Sequence, residues 1–141
     1  MLKNIPEILT PELLKILDEM GHGDEIVLAD CNFPAASHAN KLITYRGVGI
    51  MPILEGILQL FPLDTYVPTP AKVMQPVSPD EGIPEIWNNF STCINKFHPE
   101  FKEFEQIERF DFYDHARKAY AIVSTAEKTG YANLILKKGG V

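Results

Sequence analysis

The sequence predicts a single α/β domain on three observations: a length suited to one core, a composition suited to folding, and helical segments interleaved with short strand-like runs. The 141 residues match the common size of one domain and leave no room for a second catalytic one. Hydrophobic residues make up 45% and charged residues 23%, which argues against a largely disordered chain. No internal repeat or low-complexity tract occurs. The expected architecture is one compact domain over residues 1–141, a mixed sheet of about six strands packed with about four helices.

Thr10-Pro11-Glu12 supplies an N-cap hydroxyl, a proline at the first helical position and a carboxylate for the positive end of the dipole, so a helix starts there. Leu13, Leu14, Ile16, Leu17 and Met20 give it an apolar face, and Gly21, able to take a positive φ, ends it beside His22. Glu25 to Asp30 is apolar on both faces, which predicts a central strand ending in a carboxylate. Pro34 to Ser37 reads as a loop, and Leu42 to Tyr45 as a second strand before the Gly47-Val48-Gly49 turn. Ile53, Leu54, Ile57, Leu58 and Phe61 mark a helix stopped by Pro62. Six prolines from Pro62 to Pro84 push a strand at Lys72-Val73-Met74 towards a sheet edge. Ile86, Phe90, Cys93, Ile94 and Phe97 outline a third helix closed by His98-Pro99. Phe104 to Arg109 suggests a strand, and Asp111 the cap of a short helix through Lys118. Tyr120 to Ser124 and Tyr131 to Leu136 complete the strands, joined by a polar turn around Glu127-Lys128-Thr129-Gly130.

Thirteen basic against nineteen acidic residues give a net charge of −6, the wrong sign for displacing counterions from phosphates, so no nucleic-acid partner is expected. Cys31 and Cys93 lack the paired spacing of a disulfide framework or a thiolate zinc site, and are expected to be free, mostly buried thiols in a reducing cytoplasm. No signal-peptide pattern and no run near the ~20 apolar residues of a membrane span is present, so no membrane partner is expected.

Gly21-His22-Gly23-Asp24 sets an imidazole between two glycines, where the backbone can approach a ligand closely and a side chain can exchange protons at neutral pH. A helix C-cap with an exposed histidine would look the same. Asp30 ends a buried strand, where ligands gather in open α/β sheets, or it begins an Asx turn. Arg109 offers a donor fork to sugar hydroxyls, or a surface ion pair to Glu108 or Asp111. Tyr131 and Asn133, two positions apart, share a face of the last strand and present a phenol and an amide to a polyol, or half-buried packing. His22, Asp24 and Asp30 lack the local His/Cys pairing of a strong metal motif, so no metal is expected. Ser37-His38 is set aside as a nucleophile and base, since adjacent side chains rarely meet and no Gly-x-Ser-x-Gly elbow exists. Nor is there a Gly-x-Gly-x-x-Gly or phosphate loop to indicate a nucleotide cofactor.

Taken together, Gly21-His22-Gly23-Asp24-Glu25, Ala29-Asp30-x-Asn32-Phe33-Pro34-Ala35, Arg109-Phe110-x-Phe112-Tyr113 and Tyr131-Ala132-Asn133-x-x-Leu136-Lys137-Lys138-Gly139 resemble the fucose mutarotase branch of a family that also contains ribose pyranase. The resemblance covers nearly the whole chain, with the motifs in order. It implies interconversion of the α and β anomers of L-fucose without metal or organic cofactor, by a mixed α/β fold assembled as a decamer of two stacked five-membered rings. It also implies His22 as the catalytic acid/base and Asp30, Arg109, Tyr131 and Asn133 as the residues that hold the sugar. Asn32-Phe33-Pro34 is the fucose form of a loop that ribose pyranases tend to write Gly-Leu-Pro. Cys31 departs from the small alanine expected there, a change of little volume.

The residues suit this chemistry, because ring opening and reclosure need only proton transfer, for which His22 is fitted and which Asp30 would support by orienting the imidazole or binding hydroxyls. The other readings are ribose pyranase activity and non-catalytic monosaccharide binding. Phe90, Phe97, Phe101, Phe104, Phe110, Phe112 and Tyr113 are more aromatics than a small core comfortably buries, so some are expected to face another chain of a homo-oligomer.

Overall fold

In the computed structural model of the chain, which describes residues 1–141, the elements run in the order α1 (Pro11–Glu19), β1 (Glu25–Ala29), α2 (Ala35–His38), β2 (Leu42–Thr44), α3 (Ile50–Leu58), β3 (Ala71–Met74), a 3-10 turn (Pro79–Glu81), α4 (Ile86–Phe97), β4 (Glu105–Ile107), α5 (Arg109–Lys118), β5 (Ala121–Ser124) and β6 (Leu134–Lys137). The six strands form one sheet in the order β2-β5-β1-β6-β3-β4. β1, β2 and β5 are mutually parallel, as are β3 and β4, whereas β6 lies antiparallel between β1 and β3. Five strands therefore end on the same side of the sheet, and β6 starts there.

Alternation along the strands sorts their side chains into two cores. Ile26, Leu28, Val123, Leu134 and Leu136 pack with Leu13, Ile53, Ile57, Phe90 and Ile94, beneath α1, α3 and α4. Val27, Ala29, Ile122 and Ile135 face the other way onto Phe33, Phe112 and Ala116, beneath α2 and α5. Burial on both faces is why β1 is so uniformly apolar, and its central place matches the sequence reading. Thr10 caps α1 by accepting the Leu13 amide, with Pro11 at the first helical position, also as expected.

Several elements differ from expectation. There are five α-helices rather than about four, because Ala35–His38 forms a single turn too short to show a period. Helix α1 ends at Met20 with an extended ψ of 132°, and the positive φ falls on Gly23 (92°) instead of Gly21. The Asp24 carboxylate takes the Gly21 amide at 2.7 Å, and the Lys138 carbonyl takes that of Gly23 at 2.8 Å. Strand β3 is interior, not an edge: Pro70 and Pro76 flank the ladder, so no pairing amide is lost. Arg109 opens α5, and Glu108 rather than Asp111 caps it by accepting the Phe110 and Asp111 amides.

Tyr131 and Asn133 precede β6 and share no strand face, since Tyr131 has a left-handed φ of 58°. The connection from β5 to β6 passes the end of β1 instead of forming a hairpin. Of the seven clustered aromatics, Phe90, Phe101 and Phe112 are buried within the chain and only Phe110, 60% accessible, stands well exposed. No helix is long and apolar enough to cross a membrane.

Candidate functional site

At the carboxyl ends of the parallel strands, the Asn133 side-chain amide brackets Asp30. Its oxygen accepts the Asp30 backbone amide at 2.9 Å and its nitrogen donates to Asp30 Oδ2 at 3.0 Å. Asp30 Oδ1 accepts the Asn32 and Phe33 amides at 3.0 and 2.9 Å, so the Asx turn is formed and the carboxylate is also aimed by its partners. Burial pushes the Asp30 pKa up; the three hydrogen bonds oppose this without cancelling it, and the Glu127 charge adds to the rise.

Arg109 lines a cavity of about 500 Å³ at the same end of the sheet, with Gln75, Ser78, Gln106 and Phe110. Its guanidinium lies 4.7 Å from the Phe110 ring centroid and pairs with neither Glu108 nor Asp111. Glu108 is engaged as the helix cap, which leaves the Arg109 fork free for a ligand. The Tyr131 hydroxyl accepts the Val77 amide, and Val77 belongs to the same cavity wall. Asp30, Arg109, Tyr131 and Asn133 therefore share one end of the fold.

His22 is at the other end. Its Nε2 is 3.1 Å from Asp64 Oδ1, and its ring centroid is 5.2 Å from that of Tyr66. The imidazole side chain is 47% accessible while Asp64 is buried at 3%, so a solvent-facing base is oriented by a carboxylate held in the protein. Asp30 does not orient His22, contrary to one of the two roles expected for it, because β1 lies between them. Four residue steps of β1 alone span about 13 Å.

Asp64 escaped the sequence reading because it belongs to no motif. Its position depends on a single bridge between Leu63 and Lys138, seventy-five residues apart, supported by the Asp64 amide bonded to the Lys137 carbonyl at 3.0 Å. Gly139 lets these segments touch: a Cβ there would stand 2.8 Å from the Leu63 carbonyl oxygen. Burial alone would raise the Asp64 pKa, but the Tyr66 amide, the His22 hydrogen bond and the His22 and Lys137 charges outweigh it and bring it below the ordinary 3.8. A lowered pKa contributes stability above 3.8 that is lost as pH falls through the folded value. The gap between the urea midpoints of the wild type and Asp64→Asn should accordingly be full well above pH 3.8 and shrink as the pH is lowered below it. A gap that widens in acid would contradict this electrostatic account of Asp64.

The Ser37 and His38 side chains do meet, with Oγ 2.9 Å from Nδ1, despite the expectation for neighbours. The short helix turns both towards the Pro34 carbonyl, which lies 2.9 Å from the same nitrogen. His38 Nε2 is buried without a partner, so no carboxylate completes a triad. His22, Asp24 and Asp30 do not converge, since Asp24 is turned to Gly21 and Asp30 lies beyond β1.

Known proteins resemble this chain over nearly its whole length. The model of the RbsD / FucU transport protein family matches residues 3–141. The chain is 47% identical over 139 residues to the L-fucose mutarotase of Actinobacillus pleuropneumoniae serotype 5b, covering 99% of this chain and 96% of that relative. It is 46% identical over 144 residues to the human fucose mutarotase, covering 98% and 93%. The crystal structure of the fucose mutarotase in complex with L-fucose from Streptococcus pneumoniae superposes with a TM-score of 0.90 at 50% identity, covering 99% of each chain. On a match that runs nearly from end to end, this chain belongs to the RbsD/FucU family.

Proposed function

We propose that the chain is an L-fucose mutarotase, an isomerase that interconverts the α and β anomers. The observation that carries the reading is the accessible His22 imidazole fixed by buried Asp64, within a fold whose 50%-identical relative is described in complex with L-fucose. With Asp64 ionised, His22 Nε2–H donates to it and Nδ1 keeps a lone pair for the sugar. Nδ1 takes the proton of the anomeric hydroxyl, the C1–O5 bond breaks with its electron pair moving to the ring oxygen, and the imidazolium returns the proton there. Rotation about C1–C2 presents the other carbonyl face, and the same steps in reverse close the ring. Asp64 stabilises the imidazolium between the two transfers. Atoms and electrons balance without any external acceptor.

Asp30, Asn133, Arg109 and Tyr131 are the hydroxyl-binding set in this reading. Since they lie across β1 from His22, a single sugar touching both ends draws His22 from one chain and the binding set from a neighbour. Such a head-to-tail contact forms a ring where its rotation closes. A decamer of two stacked five-membered rings completes the proposal, in a reducing cytoplasm that suits two free thiols, of which Cys93 is buried as expected and Cys31, in the turn after β1, is exposed instead. Saturation-transfer NMR on L-fucose should show faster exchange between anomers in the presence of the protein. Unaltered exchange with a bound sugar would instead establish a binding protein, and faster exchange with ribose alone would favour the pyranase reading.

A further inference from the structure

Tyr131 holds a left-handed backbone conformation that costs a non-glycine residue free energy unless its surroundings maintain it. Trp87 Nε1 donates to its carbonyl at 3.1 Å, which fixes the backbone. Its hydroxyl does two further things: it accepts the Val77 amide at 3.1 Å and donates to Glu81 Oε1 at 2.9 Å. The same Glu81 oxygen accepts the Ser78 amide at 2.9 Å while the Ser78 hydroxyl accepts the Asp80 amide at 3.3 Å, closing a capping box around Pro79–Glu81.

From Val77 to Gly82 these contacts to Tyr131 are the hydrogen bonds that tie the segment to the rest of the fold; the others are internal to it. Prolines 76, 79 and 84 stiffen it, and Gly82 turns it at a φ of 71°. It forms one wall of the cavity that Arg109 lines, with Val77, Ser78, Pro79, Gly82 and Ile83. The phenol thus joins this wall to the short stretch that carries Asn133, the partner of Asp30.

A phenol has one proton to donate. Because Glu81 takes it and Val77 occupies one acceptor direction, any further hydrogen bond to the phenol oxygen is one that it accepts. We infer that Glu81 is a positioning residue that fixes Tyr131 as a hydrogen-bond acceptor towards the sugar and holds the 77–82 wall against it, selecting a substrate that offers a hydroxyl donor there. The inference rests on Tyr131 belonging to the sugar site, as proposed above.

Four variants test it: Glu81→Ala, Glu81→Gln, Tyr131→Phe and the double variant Glu81→Ala/Tyr131→Phe, with kcat and KM for L-fucose exchange measured for each. Loss of one positioned hydrogen bond predicts about a five- to tenfold rise in KM for Glu81→Ala, with kcat changing less than twofold. Glu81→Gln, which keeps an acceptor oxygen, should restore KM to within about twofold of the wild type. If Glu81 acts through the phenol, its removal adds nothing in the Tyr131→Phe background. Additive effects in the double variant, or no rescue by glutamine, would overturn the inference. So would a raised KM in Tyr131→Phe with Glu81→Ala unchanged, which leaves the sugar-site reading intact. An unchanged KM in Tyr131→Phe itself would remove the phenol from the sugar site and the inference with it.

Discussion

Replacing His22 with alanine is expected to slow anomer exchange of L-fucose by about 10²–10⁴-fold, the range for a positioned acid–base group, while leaving the fold in place. The imidazole projects from a turn, is 47% accessible and has Asp64 as its one polar side-chain partner, so the cores lose nothing when it goes. Asp64→Asn should fall between the wild type and His22→Ala, since it spares the base but weakens its orientation and the stabilisation of the imidazolium. Saturation-transfer NMR measures all three, and circular dichroism verifies folding. Full exchange rates in a folded His22→Ala protein would take the proton transfer away from this residue altogether.

The second large effect concerns assembly. His22→Ala lacks the base, and Arg109→Ala lacks the guanidinium fork, whose hydrogen bonds to a polyol are worth about 1.5–3 kcal/mol, roughly 10–100-fold in affinity. Each variant alone should be poor at low sugar concentration. If one sugar takes its base from one chain and its binding groups from the next, random co-assembly of equal amounts restores an intact pairing at about a quarter of the contacts. Co-expressing the two should therefore raise activity to about a quarter of the wild-type value. Activity no higher than the mean of the separate variants would place base and binding groups within one chain, against the separation across β1. Light scattering of the same samples reports whether they assemble as expected, and a single-chain mass would defeat the ring.

Features set by local chemistry were the legible ones. The cap at Thr10-Pro11 and the two-sided apolar run of β1 reflect immediate neighbours and burial on both faces, and both appear where read. Asp30 and Asn133 were each singled out, but their reciprocal bonding crosses 103 positions and no spacing announces it. Asp64 was hidden for the same reason, because a bridge between Leu63 and Lys138 brings it under His22. Tyr131 was misplaced onto a strand face since its left-handed φ is sustained by Trp87, Val77 and Glu81, none of them near in sequence. Within the aromatic cluster, Phe112 fills the second core beneath α5 while Phe110 stays exposed, a division that depends on which sheet face each meets rather than on spacing.

The antiparallel strand in the middle of the sheet links the two ends of the fold. β2, β5 and β1 pair with one another and β3 pairs with β4, and β6 alone connects the two sets. β6 comes last of the six strands in the chain, and its pairing joins the half-sheets, with Asn133 against Asp30 before its start and Lys138 beside Leu63 past its end. The Asn133–Asp30 contact and the place of Asp64 under His22 thus both depend on one strand. Pairings of such long sequence separation slow folding.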